Sequence, residues 1–253
     1  MTSNLFWLTE AQMERLRPFF PKSHGRPRVD DRRVLSGIIF INRNGLRWCD
    51  APSEYGPPKT LYNRWKRWSE LGVFARIFEG LAAEAPEPET IMIDATYLKA
   101  HRTASSLRGK KGGRGRLIGR TKGGMNTKLH AVTDGEGRPL RFFMSAGQVS
   151  DYTGARAMLR DLPPAKWFLG DRGYDADWLR ESLQDKGLRV CIPGRKGRKT
   201  PVRYDRRRYK RRNRIEIMFG RLKDWRRVAT RYDRCPKVFL SAIALAATVL
   251  FWL

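Results

Sequence analysis

Hydrophobic positions recur with helical spacing through the first third of the chain. A capping box of Thr9 and Gln12 predicts the start of a short helix. A second, longer helix is predicted to begin at Asp30 or Asp31 and to stop at Gly45. The apolar residues of both helices fall on one face, so we expect a small all-α region here.

A third helix in this region has two distinct faces. We expect Thr60 to cap it, with Leu61, Trp65 and Trp68 turned toward a core. The outward face then carries the polar and basic residues Asn63, Arg64, Lys66 and Arg67. Two helices joined by a turn, the second basic on its free face, are typical of a helix-turn-helix unit that reads the major groove of DNA. A small helical bundle with a solvated face is the alternative.

Alternation typical of β-strands begins after the acidic, proline-rich stretch 82–89, which resembles a linker. We therefore predict a helical DNA-binding domain over residues 1–85 and a second domain over 86–253. In the second domain, strand-like runs are separated by helical stretches and by a glycine-rich hairpin turn at 134–137. The strand-like runs are 90–93, 126–133, 140–146, 166–169 and 188–192. This order predicts an α/β domain with a mixed sheet flanked by helices, as in the ribonuclease-H-like fold.

Two of the strand-like runs end at an aspartate. Asp94 directly follows the first, and Asp171 follows the fourth after Gly170, each after several hydrophobic residues. Functional groups of open sheets lie just beyond strand ends, so neighbouring strands would bring the two carboxylates to one edge. Either residue alone is equally typical of a turn or a helix cap.

The stretch 209–223 contains a single acid among basic residues. Read as one helix, it places Tyr209, Arg212, Glu216 and Lys223 on one narrow stripe. Glu216 either pairs with Arg212 one turn away or binds a divalent metal at a phosphate. With Asp94 and Asp171, it would complete three carboxylates able to hold two metal ions for phosphodiester displacement.

The charge balance indicates a polyanionic partner. Lys and Arg number 52 against 25 acidic residues, a formal net charge of +27, which favours nucleic acid over a merely basic surface. Two glycine-rich basic segments, 101–128 and 195–208, are too charged to fold alone, and we expect them to order on DNA phosphates. The first includes Lys110, Lys111, Arg114 and Arg116. The extended basic arm 24–28 is read as a linker or a minor-groove contact.

The cysteines, the histidines and the two ends of the sequence indicate which metal and which cell compartment to expect. The three cysteines and three histidines show no zinc spacing, so a metal would be held by oxygen, which favours Mg²⁺, with Mn²⁺ as a substitute. The apolar stretch 238–253 is too short to span a membrane and predicts a buried helix. The first residues lack the features of a secretory signal, so we expect a cytoplasmic protein at the nucleoid.

These residues together resemble the DDE transposases of bacterial insertion sequences. The stretch YKRRNRIEIMFGRLK contains the Tyr–Arg–Glu–Lys signature of that family, and the segments IDATYLKAHR and LGDRGYDADWLR resemble its two other motifs. The resemblance covers roughly residues 26–253.

The resemblance implies a ribonuclease-H-like core, Mg²⁺ dependence, cleavage at element ends by water and strand transfer by the freed 3′-hydroxyl. By position, Asp94, Asp171 and Glu216 would be the catalytic metal ligands, and Tyr209, Arg212 and Lys223 would hold DNA phosphates. Double-stranded DNA would be the partner, and pairing two ends favours a homodimer. A structure-selective nuclease on the same core and a catalytically inactive DNA-binding repressor are the alternatives.

Overall fold

The computed structural model describes residues 5–22, 29–106 and 113–253. The chain divides into two compact units. The first comprises Met1–Leu81, Arg102–Ala104 and Leu222–Leu253, and the second comprises Ala82–His101 and Ser105–Arg221. The basic arm at 24–28 and the residues 107–112 lie outside the described residues.

Helices supply most of the regular structure. Their bounds are α1 Glu10–Leu16, α2 Asp31–Asn44, α3 Pro58–Glu70, α4 Val73–Ala83, α5 Arg102–Ser105, α6 Asp151–Leu159, α7 Asp177–Asp185, α8 Arg206–Tyr209, α9 Asn213–Lys223, α10 Arg226–Ala229 and α11 Pro236–Phe251. The strands are β1 Thr90–Ala100, β2 Gly119–Thr121, β3 Gly124–Asp134, β4 Pro139–Ala146, β5 Trp167–Leu169, β6 Arg189–Cys191 and β7 Thr230–Arg231.

The ends of the first two helices follow the predicted signals. Thr9 and Gln12 exchange the two hydrogen bonds of a capping box at the start of α1. Asp30 caps α2 by accepting a hydrogen bond from the Arg32 backbone N–H, and Gly45 ends the helix with a φ of +70°. That left-handed conformation favours glycine because a Cβ would be strained there.

Helix α3 begins three residues earlier than predicted. Pro58 is its first residue, because proline fits the first turn, where a backbone N–H has no partner in the helix. Thr60 therefore lies inside the helix and is not its cap. The connection from α2 to α3 runs over residues 45–57 with two short 3₁₀ turns, far longer than the roughly 3–4-residue turn of a helix-turn-helix motif. The region is helical, but its turn differs from that motif.

The C-terminal helix α11 belongs to the first unit. Its alanine-rich face is buried, and the helix contacts α2 and α3. The division of the chain into compact units therefore differs from the single domain boundary predicted after residue 85. A helix that is apolar on most of its surface needs partners on several sides, which the helical unit supplies. Of the described helices, none has the length and hydropathy needed to cross a membrane.

The second unit contains a mixed sheet. Strand β3 pairs antiparallel with β1, with β4 and, through its first residues, with β2. Strands β1, β5 and β6 are parallel neighbours. The spatial order of the main strands is thus β4-β3-β1-β5-β6, with the predicted hairpin at β3 and β4. This arrangement, with helices around the sheet, confirms the ribonuclease-H-like fold class.

Strand β1 is much longer than predicted. It continues seven residues beyond the expected end at Ile93, so Asp94 lies within the strand and not at its end. Antiparallel pairing with β3 continues to Lys99, because the following residues still alternate between the two faces. The parallel pairing with β5 stops at Met92, so Asp94 lies just beyond the end of that ladder.

The stretch predicted as one helix from Tyr209 is interrupted. Helix α8 ends at Tyr209, a 3₁₀ turn covers Lys210–Arg212, and α9 runs from Asn213 to Lys223. The four signature residues therefore do not share one continuous α-helical stripe. A cluster of adjacent arginines in a short stretch disfavours a regular helix, since like charges repel.

His130 gives the sheet a predicted pH dependence. It is fully buried in β3, its Nε2 lies 2.9 Å from the Ser145 hydroxyl, and burial lowers its pKa to about 4, with Lys128 adding to the effect and Asp151 opposing it. Above pH 6.5 the imidazole is neutral in both the folded and unfolded chains. As the pH falls from 6.5 to 4, only the unfolded chain gains a proton, so we expect the free energy of unfolding to fall by roughly 3 kcal/mol.

Urea unfolding of the wild type and of His130→Gln at pH 7.5 and pH 5 tests this expectation. The variant lacks the titrating group, so its free energy of unfolding should fall by roughly 2 kcal/mol less than that of the wild type between these pH values. Equal losses in the two proteins would exclude His130 as the cause.

Candidate active site

Parallel pairing of β1 with β5 brings two of the predicted acids together. Met92 pairs with Leu169, so Asp94 and Asp171 each lie two residues beyond the same rung of the ladder. Parallel strands run in one direction, so both aspartates lie at the same end of the β1–β5 ladder.

The Asp94 carboxylate is largely buried. Its side chain is 18% exposed, one oxygen accepts a hydrogen bond from the Ala95 backbone N–H at 2.8 Å, and the other accepts from Arg212 at 2.9 Å. Burial raises the pKa of Asp94, and the negative charge of Asp171 raises it further, while the hydrogen bonds and the Arg212 charge oppose this. The site therefore contains a carboxylate that needs a positive partner to remain ionised.

Asp171 also holds the backbone of the turn that follows it. Its side chain accepts a hydrogen bond from the Gly173 N–H at 2.8 Å and caps the 3₁₀ turn Arg172–Tyr174. The capping role, which the sequence left open as an alternative, is therefore present. The capping hydrogen bond uses one of the two carboxylate oxygens of Asp171.

Arg212 joins two of the three acids. Its guanidinium donates to Asp94 and, through the other terminal nitrogen, to Glu216. Burial lowers the pKa of Arg212, but the charges of Asp94 and Glu216 outweigh this and raise it. Both carboxylates contact one guanidinium, so they lie within roughly 10 Å of each other.

Glu216 thus forms an ion pair with Arg212, which is one of the two roles predicted for it from the sequence. It lies in the first turn of α9, and its side chain is 56% exposed. Among the described residues, no three His, Cys, Asp or Glu side chains stand close enough together to hold a metal ion. In this arrangement Arg212 supplies positive charge between Asp94 and Glu216.

The donor set nevertheless fits a hard divalent cation. Asp94, Asp171 and Glu216 offer only carboxylate oxygens, the ligands that Mg²⁺ and Mn²⁺ prefer. Asp94 and Asp171 repel each other, and the burial of Asp94 makes that repulsion costly. A cation near both aspartates would relieve this cost.

Sequence reasoning missed Tyr174, which is fully buried at the end of the turn that Asp171 caps. Its hydroxyl has no hydrogen-bond partner among the described residues. Burial raises its pKa well above the usual value, and the charges of Asp151, Asp94 and Asp171 add to this. The phenol therefore stays protonated beside the acids. The only sequence signal was its place three residues after Asp171.

The other signature residues lie at separate points. The Tyr209 ring packs edge-on against Tyr204 and lies 5.9 Å from the Arg212 guanidinium. Lys223 is the last residue of α9, and burial lowers its pKa. Of the basic residues predicted in the first glycine-rich segment, Lys110 and Lys111 lie outside the described residues, as does the side chain of Arg114. Arg116 is described and donates to the Ser106 carbonyl.

The predicted outward face of α3 is only partly available. Asn63, Lys66 and Arg67 are exposed. Arg64 is not: its side chain is 14% exposed, pairs with Asp31 and lies 5.0 Å from the Trp68 ring. Aromatic stacking and an ion pair hold this guanidinium against the helical core. The prediction that Arg64 points toward solvent is therefore wrong.

Two family models together match most of the chain. One, described as a putative transposase of the IS4/5 family, matches residues 8–78. The other, described as a transposase DDE domain, matches residues 85–251, which is more than half of the chain.

Two individual relatives are described as putative transposases, and a third is uncharacterized. A putative transposase for insertion sequence element IS6501 of Brucella ovis is 35% identical over 130 residues, covering 51% of this chain and 99% of the relative. A putative transposase for insertion sequence element IS402 of Burkholderia cepacia is 26% identical over 156 residues, covering 54% and 72%. An uncharacterized protein, y4sN, of Sinorhizobium fredii is 38% identical over 110 residues, covering 42% and 87%.

A solved structure shares the fold. The piggyBac transposase, in a synaptic complex with hairpin DNA, matches with a TM-score of 0.51 and 8% sequence identity. The match covers 97% of this chain and 72% of that one.

Proposed function

The chain belongs to the DDE transposases, and we propose that it cleaves DNA at the ends of an insertion sequence and joins those ends to target DNA through Asp94, Asp171 and Glu216. It is a DNA transposase, an enzyme of DNA cleavage and strand transfer. The proposal assigns the residues, the metal and the partners of that reaction.

The observation that carries the assignment is the arrangement of the three acids. Asp94 and Asp171 lie two residues beyond one rung of parallel strands, and Arg212 contacts both Asp94 and Glu216. Asp94 thus lies near Asp171 and shares Arg212 with Glu216, in a protein with a net charge of +27. Neighbouring carboxylates of this kind are costly unless cations neutralise them.

Transposases of this family generally use divalent metal ions. Asp94, Asp171 and Glu216 would hold Mg²⁺ or Mn²⁺, which when bound activates the attacking oxygen and stabilises the leaving one. The other roles in the site belong to the protein's own residues. Burial around Asp94 limits its contact with water, and the hydrogen bond from the Gly173 N–H fixes the direction of the Asp171 carboxylate.

Arg212 has a second role in this proposal. On DNA, the Arg212 guanidinium would exchange its contact with Glu216 for a phosphate, which it can bind with two parallel hydrogen bonds. Tyr209, beside it, and Lys223, at the end of α9, are each proposed to contact DNA phosphates. Tyr174, kept protonated, can donate a hydrogen bond toward the acids.

The helical unit is proposed to bind double-stranded DNA. Asn63, Lys66 and Arg67 form an exposed polar and basic face on α3, suited to a groove of double-stranded DNA. Pairing of two element ends calls for a homodimer on DNA. The substrate places the enzyme in the cytoplasm at the nucleoid.

A strand-transfer assay tests the proposed reaction. Labelled DNA carrying the element end is incubated with the enzyme, Mg²⁺ and an unlabelled target plasmid. Label joined covalently to the plasmid is the expected product. Cut ends that never join would favour a structure-selective nuclease, and intact bound DNA would favour a repressor.

A further inference from the structure

A buried carboxylate directly beyond the candidate active site organises a basic loop. Asp175 follows the turn that Asp171 caps and is fully buried. It accepts hydrogen bonds from the Arg180 guanidinium at 2.8 Å, from the Arg198 guanidinium at 3.0 Å and from the Arg195 backbone N–H at 2.8 Å. The cap of α7 is the next residue, Ala176, so Asp175 does not cap that helix.

These bonds fix the loop over residues 195–198 without DNA. Arg198 also pairs with Asp177 and closes a turn by donating its backbone N–H to the Arg195 carbonyl at 3.1 Å. Arg180 continues to the Ile192 carbonyl at 2.7 Å, so the chain is held just before the loop as well. This differs from the expectation that the segment orders only on phosphates.

The anchored loop lines a basic cavity. The cavity measures about 470 Å³ and is lined by Asp177, Arg195, Gly197, Arg198, Lys199 and Thr200. Arg195 and Lys199 are exposed, and the Arg195 guanidinium lies 5.9 Å from the Tyr152 ring. The Tyr152 hydroxyl in turn donates to the Asp175 carbonyl at 3.2 Å. Positive groups and a threonine hydroxyl therefore line a preformed recess.

A fully buried acid is an expensive way to hold a surface loop, because its charge must be removed from water. A purely structural loop could be fixed by apolar contacts at no such cost. The acid here directs two arginines and leaves Arg195 and Lys199 at the recess. Asp175 binds the inner side of the loop. The side chains of Arg195 and Lys199, on the outer side, can therefore bind a second anion.

We propose that Arg195, Lys199 and Thr200 form a binding site for a DNA phosphodiester, with Asp175 as its positioning residue. This rests on the proposed function, since it gives the transposase a fixed contact to its own substrate. Asp175 follows the turn that carries Asp171, so the loop couples the position of a neighbouring phosphate to the acids. One rigid turn serves both sites.

Two lysines of the same loop provide a matched test. Lys199 lines the cavity, whereas Lys196 is exposed but does not. Fluorescence anisotropy with duplex DNA, full-length protein and EDTA in place of metal measures affinity at several salt concentrations. We expect Lys199→Ala to weaken binding roughly fivefold and to reduce the slope of log K against log salt by about 0.9, with much smaller changes for Lys196→Ala. Equal effects of the two changes would overturn the site.

Replacing Asp175 gives a second test, in which an effect of net charge and an effect of loop positioning would change the DNA affinity in opposite directions. Removing a negative charge should tighten the binding of a polyanion if only net charge matters. If Asp175 positions the loop, Asp175→Asn should weaken binding, roughly tenfold by the loss of about two ordered phosphate contacts. Asp185→Asn makes the same chemical change at an exposed residue of α7 that does not line the cavity, and we expect unchanged or slightly tighter binding. Tighter binding by Asp175→Asn would overturn the positioning role.

Circular dichroism establishes whether Asp175→Asn is folded, and if it is not, the lysine pair decides alone. The test does not depend on catalysis, because it is run without metal. Loss of affinity on Lys199→Ala together with unimpaired cleavage by Glu216→Gln would remove the catalytic assignment and keep the phosphate site. The reverse pattern would remove the site and keep the assignment.

Discussion

Replacing Glu216 with glutamine is expected to abolish cleavage and joining while leaving DNA affinity largely unchanged. The amide keeps the shape of the side chain but loses the charge that a divalent cation requires. Loss of several kcal/mol of transition-state stabilisation corresponds to a rate reduction of roughly a thousandfold or more. Gel analysis of labelled element ends with Mg²⁺ measures both products, and anisotropy measures binding.

Glu181→Gln is the matched control, since Glu181 is an exposed glutamate on another helix of the same unit. We expect it to behave as the wild type. Full activity of Glu216→Gln would show that the pairing of Glu216 with Arg212 is only structural. A wild-type protein that binds DNA but never cuts it would favour the repressor.

Replacing Arg212 with glutamine is expected to destabilise the metal-free protein strongly. The Asp94 carboxylate would lose the cation that contacts it, and breaking a largely buried pair costs roughly 3 kcal/mol. Added Mg²⁺ should restore more stability to the variant than to the wild type, since the unpaired acids would then bind the ion more tightly. Urea unfolding with and without Mg²⁺ measures both effects.

Arg214→Gln is the control for this substitution. Arg214 lies two residues further along and pairs with Glu136, and the two side chains are 40% and 69% exposed. Exposed pairs contribute less than about 1 kcal/mol, so we expect a small loss and no special response to Mg²⁺. Equal losses in the two variants would mean that Arg212 does not neutralise Asp94.

The fold class and the family could be predicted from the sequence because both depend on local signals. The hairpin turn at 134–137 and the apolar strand runs specified the sheet, and the motif spacing specified the family. The capping box at Thr9 and the glycine at position 45 were also sufficient to find helix ends. In each case the deciding interaction lies within a few residues of the signal.

Features that depend on distant partners were not predictable in this way. The continuation of β1 past Asp94 depends on pairing with β3, and Arg64 turns inward because Asp31 and Trp68 meet it in three dimensions. The buried network of Asp175 joins residues from three separate stretches. The roles of Asp94, Asp171 and Glu216 remain predictions, because the chemistry concerns an ion and a strand of DNA.

The most direct test is anomalous diffraction from crystals of the enzyme with element-end DNA and Mn²⁺. We expect a manganese peak bound by carboxylate oxygens of Asp94, Asp171 and Glu216, with the Arg212 guanidinium moved from Glu216 to a DNA phosphate. A peak coordinated without Glu216, or an Arg212 that still joins Glu216 to Asp94 beside cleavable DNA, would contradict it.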